Sequence, residues 1–288
     1  MQLKKATTFD EQIQILKQRG LIIDDEATCK SFLSSINYYR FTAYLLPFKK
    51  SDNTYVNEVY FEDVYKMYDF DRRMRTLLFG IVEEIELLLR TRLAYYHAHK
   101  YGPVGYLEIT NFNSKHNHER FQKLIEDAIS NNKSTLVVKH HNSRYDGKFP
   151  LWVIIEFFSM GMLSYFYSDF PLVDKKHIAR DLYNTSYKNV DSWLRCITDL
   201  RNKCAHYSRL YYWKFPAQPV IPKSFDFVPS GRLFDQILML KFLYIDKSKW
   251  NKSIVIEIQA LIEEYFEHIK LSHIGFPDNW KDLLVSPY

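Results

Sequence analysis

Apolar residues recur at three- and four-residue steps through most of the chain, and no stretch alternates with period two for long. The longest run spans 61–100. There Val64, Met67, Tyr68, Leu77, Leu78, Ile81, Ile85, Leu88, Leu89 and Leu93 mark an apolar face with charged residues between them. This spacing predicts one long helix, with a kink at Gly80 and an end at Gly102 and Pro103. Ahead of it, Thr8 and Glu11 stand at capping-box spacing, so a short helix starts there and stops at Arg19 and Gly20. A second short helix is predicted over 25–36, followed by a packed connection, "NYYRFTAYLLPF", into a loop around 51–57.

Beyond Pro103 the pattern predicts a helix over 115–130 and a basic loop over 131–148. Pro150 then opens "PLWVIIEFFSMGMLSYFY", apolar nearly all round and read as one buried helix. Its Glu156, Ser159 and Gly161 argue for a core or dimer-seam helix, not a membrane element. Pro171 opens a further short helix. Val190, Trp193, Leu194, Ile197 and Leu200 form a stripe that runs into "RNKCAH". A proline-rich crossing over 216–229 leads to two last helices, over 232–245 and 252–268. The expected class is all-α: a helical bundle forming one domain over 1–288. It comprises an N-terminal helical subregion over 1–58, a core over 59–215 and C-terminal helices over 216–288.

Composition narrows the functions. Gly numbers only 8 in 288 residues while Tyr and Phe number 22 and 21, which disfavours glycine-rich phosphate loops and favours aromatic helix seams. Three cysteines form no C-x-x-C pair, Met1 leads straight into polar sequence, and no run approaches the ~20 apolar residues of a membrane span. A reduced, cytoplasmic protein without a membrane partner is expected. The net charge of +5 suits a polyanion but also an ordinary soluble protein.

The chemistry concentrates in Arg201, Asn202 and His206. At about 100° per residue, Asn202 and His206 share a helix face, whereas Arg201 and His206 differ by about 140°. A second copy of this helix across a two-fold axis would bring two of each into one cleft. Cutting RNA without metal needs a group that takes the 2′-OH proton, a donor for the phosphorane and an acid for the leaving 5′-oxygen. Histidine can serve as base or acid, and arginine binds phosphate in bidentate fashion. Asn202 could orient the imidazole or hold a phosphate oxygen. By itself the spacing also fits a solvated basic helix end.

"RNKCAH" followed by "YSRLYYW" resembles the R-[N/D/H]-x-x-x-H signature of HEPN proteins as found in the Abi-like abortive-infection family, the AbiD/AbiF group. The resemblance extends to "LKQRGLIIDD", "FLSSINYYRFTAYLLPF", "FDRRMRTLLFGIVEEIELLLRTRLAYYHAHKYG", "PLWVIIEFFSMGMLSYFY" and "GFPDNWKDLL", in the family's order. It implies an all-helical HEPN domain, phage defence by growth arrest, and a metal-independent, cofactor-free endoribonuclease acting as a homodimer. Products would carry 2′,3′-cyclic phosphate and 5′-hydroxyl ends. Carried onto this chain, the catalytic positions are Arg201, Asn202 and His206; the partner is RNA, with a small noncoding RNA or tRNA among the candidates. Another HEPN branch carries a tyrosine modified two positions after the histidine, and here that position is Ser208. The rival is a non-catalytic HEPN scaffold that binds RNA or protein.

Arg72, Arg73, Arg75, Arg90 and Arg92 on the long helix, with Arg209 beyond the motif, are RNA-binding candidates, and Tyr95 and Tyr96 could stack on bases. Glu83, Glu84 and Glu86 interrupt them and offer intrahelical pairing. The histidines of "HAH", "HNH" and the pair His140 and His141 invite a metal, but residues two apart on a helix are rotated by about 200°. They are read as polar surface residues, with no metal expected. Cys196 and Cys204 are read as core thiols.

Overall fold

The computed structural model describes residues 5–223 and 225–285. Residues 1–4, on which the expectation of no secretory leader partly rests, lie outside that range. The regular elements are helices apart from two short strands, so the chain is all-α as expected. Helices α1 (Phe9–Gln18), α2 (Glu26–Ser35) and α3 (Tyr38–Leu45) precede the long α4 (Phe61–Tyr101). Then follow α5 (His118–Asn131), α6 (Leu136–Arg144), α7 (Leu151–Ile154), α8 (Met160–Ser168), α9 (Leu172–Tyr183) and α10 (Tyr187–Ala205). The last are α11 (Leu233–Leu243), α12 (Lys247–Lys249), α13 (Val255–Glu264) and α14 (Trp280–Val285). Strand β1 (Leu21–Ile22) pairs parallel with β2 (Val59–Tyr60), Leu21 opposite Val59.

Local chemistry sets the ends of these elements. The Thr8 hydroxyl accepts the Glu11 N–H and the Glu11 carboxylate accepts the Thr8 N–H, which starts α1 as the spacing predicted. Asp25 caps α2 through the N–H groups of Ala27 and Thr28. Where a packed connection was expected, Asn37 accepts the Tyr39 N–H at 2.9 Å and nucleates α3. The expected basic loop contains α6, capped by Thr135 and anchored by the single buried side chain Val138.

At 41 residues and about 60 Å, α4 is one continuous helix through exposed Gly80, as its spacing predicted. One expectation about a long helix changes. The segment read as one buried helix instead breaks: α7 runs into a 3₁₀ turn, Phe158 is extended, and Ser159 caps α8 by accepting the Met162 N–H at 3.2 Å. The break has a use, because the freed Phe158 carbonyl accepts from the Arg90 guanidinium at 2.8 Å.

One cluster of buried apolar side chains runs from Ile13 to Leu284. Within it α4 packs on α3, α7, α8, α10, α11 and α13. Every residue of α11 is buried. Its Asp235 accepts the Gly231 N–H at 2.6 Å and its Lys241 donates to the Leu283 carbonyl at 2.6 Å, so its buried charges are bonded. The crossing over 216–229 is pinned to α10 by the Trp193 indole, which donates to the Val220 carbonyl at 2.8 Å. No described helix is long and apolar enough to cross a membrane.

Candidate active site

Helix α10 starts at the Ser186 cap and buries Val190, Trp193, Leu194, Ile197 and Leu200 together with Cys196 and Cys204. The two thiols are core residues, and burial pushes them up to about 11 and about 12, out of the reactive range. The helix ends at His206, whose N–H donates to the Asn202 carbonyl at 2.9 Å. Tyr207 follows in the left-handed region at φ +55°, its N–H donating to the Cys204 carbonyl and the Ser208 N–H to the Lys203 carbonyl. This is a Schellman ending with tyrosine where glycine is usual. The Arg40 guanidinium from α3 donates to the Tyr207 carbonyl and fastens the turn.

The three motif side chains have different surroundings. Asn202 and His206 are exposed, and neither side chain makes a hydrogen bond among the described residues. Arg201 is 32% exposed and faces Glu86 of α4, its Nε 3.6 Å from Glu86 Oε2. That separation gives attraction without a hydrogen bond, and the buried Arg201 Nε has no bonding partner. Glu86 is itself buried and also accepts from Arg90, one turn along α4. One carboxylate therefore faces two guanidinium groups, leaving a net positive charge on this cluster.

The segment after the motif is held from beneath. Buried Asp71 accepts the N–H groups of Leu210 and Tyr211, the latter at 2.9 Å, and the Tyr44 hydroxyl at 2.5 Å. Arg75 pairs with the same carboxylate and donates to the Ser208 carbonyl at 3.3 Å. Burial pushes the Asp71 carboxyl up, opposed by the Arg75 charge and the donors around it. Asp71, Tyr44, Arg40 and Glu86 were not singled out as site residues from the sequence, although a signal for Asp71 existed: it lies on the buried face of α4 between Tyr68 and Met74.

The arginine candidates do not form one path. Arg72 pairs with Asp69 at 2.8 Å, Arg73 turns to Glu264 and the Tyr265 hydroxyl, and Arg75 is buried on Asp71. Arg90 joins the Glu86 site, and Arg92 is exposed. Arg209 donates to the Ala43 carbonyl and sits over the Tyr44 ring at 5.8 Å. Tyr95 is exposed, whereas Tyr96 donates to Asp174 at 2.9 Å.

Among the histidines two corrections are needed. The His116 side chain is buried, stacked on Phe112. His97 is not a surface residue either: it continues the buried face through Leu89 and Leu93, fully enclosed by Tyr101, Phe112, Phe166 and Phe170. Both its ring nitrogens lack hydrogen bonds, and burial lowers it to about 4. His99 is exposed, with Nδ1 2.7 Å from the Tyr95 carbonyl, and His116 bridges Asp169 and His118. Among the described residues no group of three or more His, Cys, Asp or Glu is placed to hold a metal ion.

A family model described as Abi-like protein matches residues 31–212, a span that holds α4, α10 and the motif. No curated protein and no solved structure matches the chain.

Proposed function

The chain belongs to the Abi-like family, which carries a role in abortive infection, and on that premise we propose that it is an endoribonuclease of HEPN type. The observation that carries the reading is the contrast within the motif. His206 and Asn202 are exposed and unbonded, while the turn that presents them is fixed by a buried contact from Asp71, a part-buried one from Arg75 and an exposed one from Arg40.

In the proposed reaction the substrate's 2′-oxygen attacks the adjacent phosphorus as its proton is taken. The P–O5′ bond then breaks and the 5′-oxygen receives a proton, giving a 2′,3′-cyclic phosphate and a 5′-hydroxyl. His206 moves one of these protons as base or acid. Arg201 binds the scissile phosphate and the charge developing on it, and Asn202 orients the imidazole or a phosphate oxygen. A second copy would supply the remaining proton carrier across a two-fold cleft. The scaffold reading has its own support, since the Arg201 to Glu86 ion pair suits a purely structural arginine.

Induced expression separates the two readings. Wild type should arrest growth and His206→Ala should not, with the two proteins accumulating equally. Equal growth with both, alongside equal protection from phage, would favour the scaffold.

A further inference from the structure

A cavity of about 740 Å³ lies beside the motif turn, walled by α3, α4 and the end of α10. Arg40, Arg72 and Arg75 line it together with Phe79, Ala205 and Tyr207, so the two residues flanking His206 form part of its wall. Its size falls in the range of small-ligand sites, roughly 300–1,000 Å³. The charge around it is unbalanced. Arg72 is matched by Asp69 and Arg75 by Asp71, but Arg40 meets only the Tyr207 carbonyl and no carboxylate among the described residues. Phe79 is 38% exposed and Tyr207 70% exposed, leaving aromatic surface open to solvent.

Resting on the RNA reading above, we propose that this cavity holds one nucleotide of a single-stranded RNA. Its base lies against Phe79 and Tyr207 and its phosphate on Arg40 and Arg72, next along the strand to the bond at His206. Aromatic faces with guanidinium groups are the chemistry that recognises an unstacked base and its phosphate. A duplex keeps its bases stacked and would not offer one to a cavity. The cavity's continuity with the turn carrying His206 favours a strand that passes through both.

The test uses the full chain carrying His206→Ala, so that binding is read without cleavage, and a short oligouridylate containing 4-thiouridine. Adding Arg72→Gln should weaken binding about tenfold and reduce the salt slope by about one. Phe79→Ala, which leaves the charges in place, should weaken binding at an unchanged salt slope, and photocrosslinks in the parent should fall on Phe79 or Tyr207. If the parent binds and both variants bind equally well, with crosslinks elsewhere, the subsite is overturned while the RNA reading stands. If the parent binds no RNA, the RNA reading fails and the subsite with it. If the substitutions instead shift the sedimentation of the protein alone, the cavity is a seam between copies and the proposal is overturned.

Discussion

The Asp71 carboxylate, three turns into α4, accepts the Tyr211 N–H at 2.9 Å just beyond His206. The long helix thus fixes the backbone that carries the motif's last residue. Asp71→Ala would leave Arg75, the Tyr44 hydroxyl and two backbone N–H groups without this acceptor. A loss of about 3–5 kcal/mol is expected. Urea denaturation of the single variants and of Asp71→Leu with Arg75→Met measures it, and the double variant should lose less than the sum of the singles.

The motif itself should contribute little stability. His206 is exposed and unbonded, and Arg201 faces Glu86 from beyond hydrogen-bond distance while Arg90 keeps that carboxylate paired. His206→Ala and Arg201→Ala should each change unfolding free energy by under about 1 kcal/mol. Arg201→Lys keeps the charge but loses the bidentate fork, so cleavage should still fall by about 10²-fold. A fall of several kcal/mol for His206→Ala in denaturant would mark a structural histidine.

Tyr207 offers a different separation. Its left-handed backbone at φ +55° disfavours a side chain by roughly 1–2 kcal/mol, part of which glycine returns to the unfolded chain as entropy. Tyr207→Gly should therefore melt at the same temperature or slightly higher, while RNA affinity falls because the stacking face is gone. Calorimetry and fluorescence anisotropy on one preparation check both halves.

His97 gives the clearest acid sensitivity. Burial holds it near about 4 in the folded state against 6.5 when free. Between those values the unfolded chain binds a proton that the folded one does not, so stability is full above about pH 6.5 and falls as pH drops toward 4. The loss from this group is about 3 kcal/mol. His97→Leu should remove that component and, by deleting two unbonded ring nitrogens, add about 1 kcal/mol at pH 7. Denaturation of both proteins at pH 7 and 4.5 shows it as a difference in slope.

The sequence announced those features that rest on local spacing. Thr8 and Glu11 start α1 as the capping box requires, the apolar stripe from Val64 to Leu93 becomes α4, and Cys196 and Cys204 are buried. What it concealed depends on competition or on distant partners. "NYYRFTAYL" is helical because Asn37 can cap it, and the buried run after Pro150 breaks because Ser159 caps a new helix while Arg90 takes up the freed carbonyl. Glu86 looks like a surface charge on a charged helix until α10 packs against α4, and Asp71, although at an apolar-face position, finds its partners in Tyr44, Leu210 and Tyr211, far away in sequence. His97 differs from its expected place for a related reason: spacing within "HAH" says nothing of the aromatic side chains from 112, 166 and 170 that close over it.

The central claim is that the motif cuts RNA, and its most direct measurement is the chemistry of RNA ends. Total RNA from cells expressing wild type or His206→Ala is labelled at 5′-hydroxyl groups, and its 3′ ends are assayed for cyclic phosphate. New, matched 5′-hydroxyl and 2′,3′-cyclic phosphate ends with wild type alone are the expected result. Identical RNA ends from both proteins, in cells where wild type still arrests growth, would contradict it.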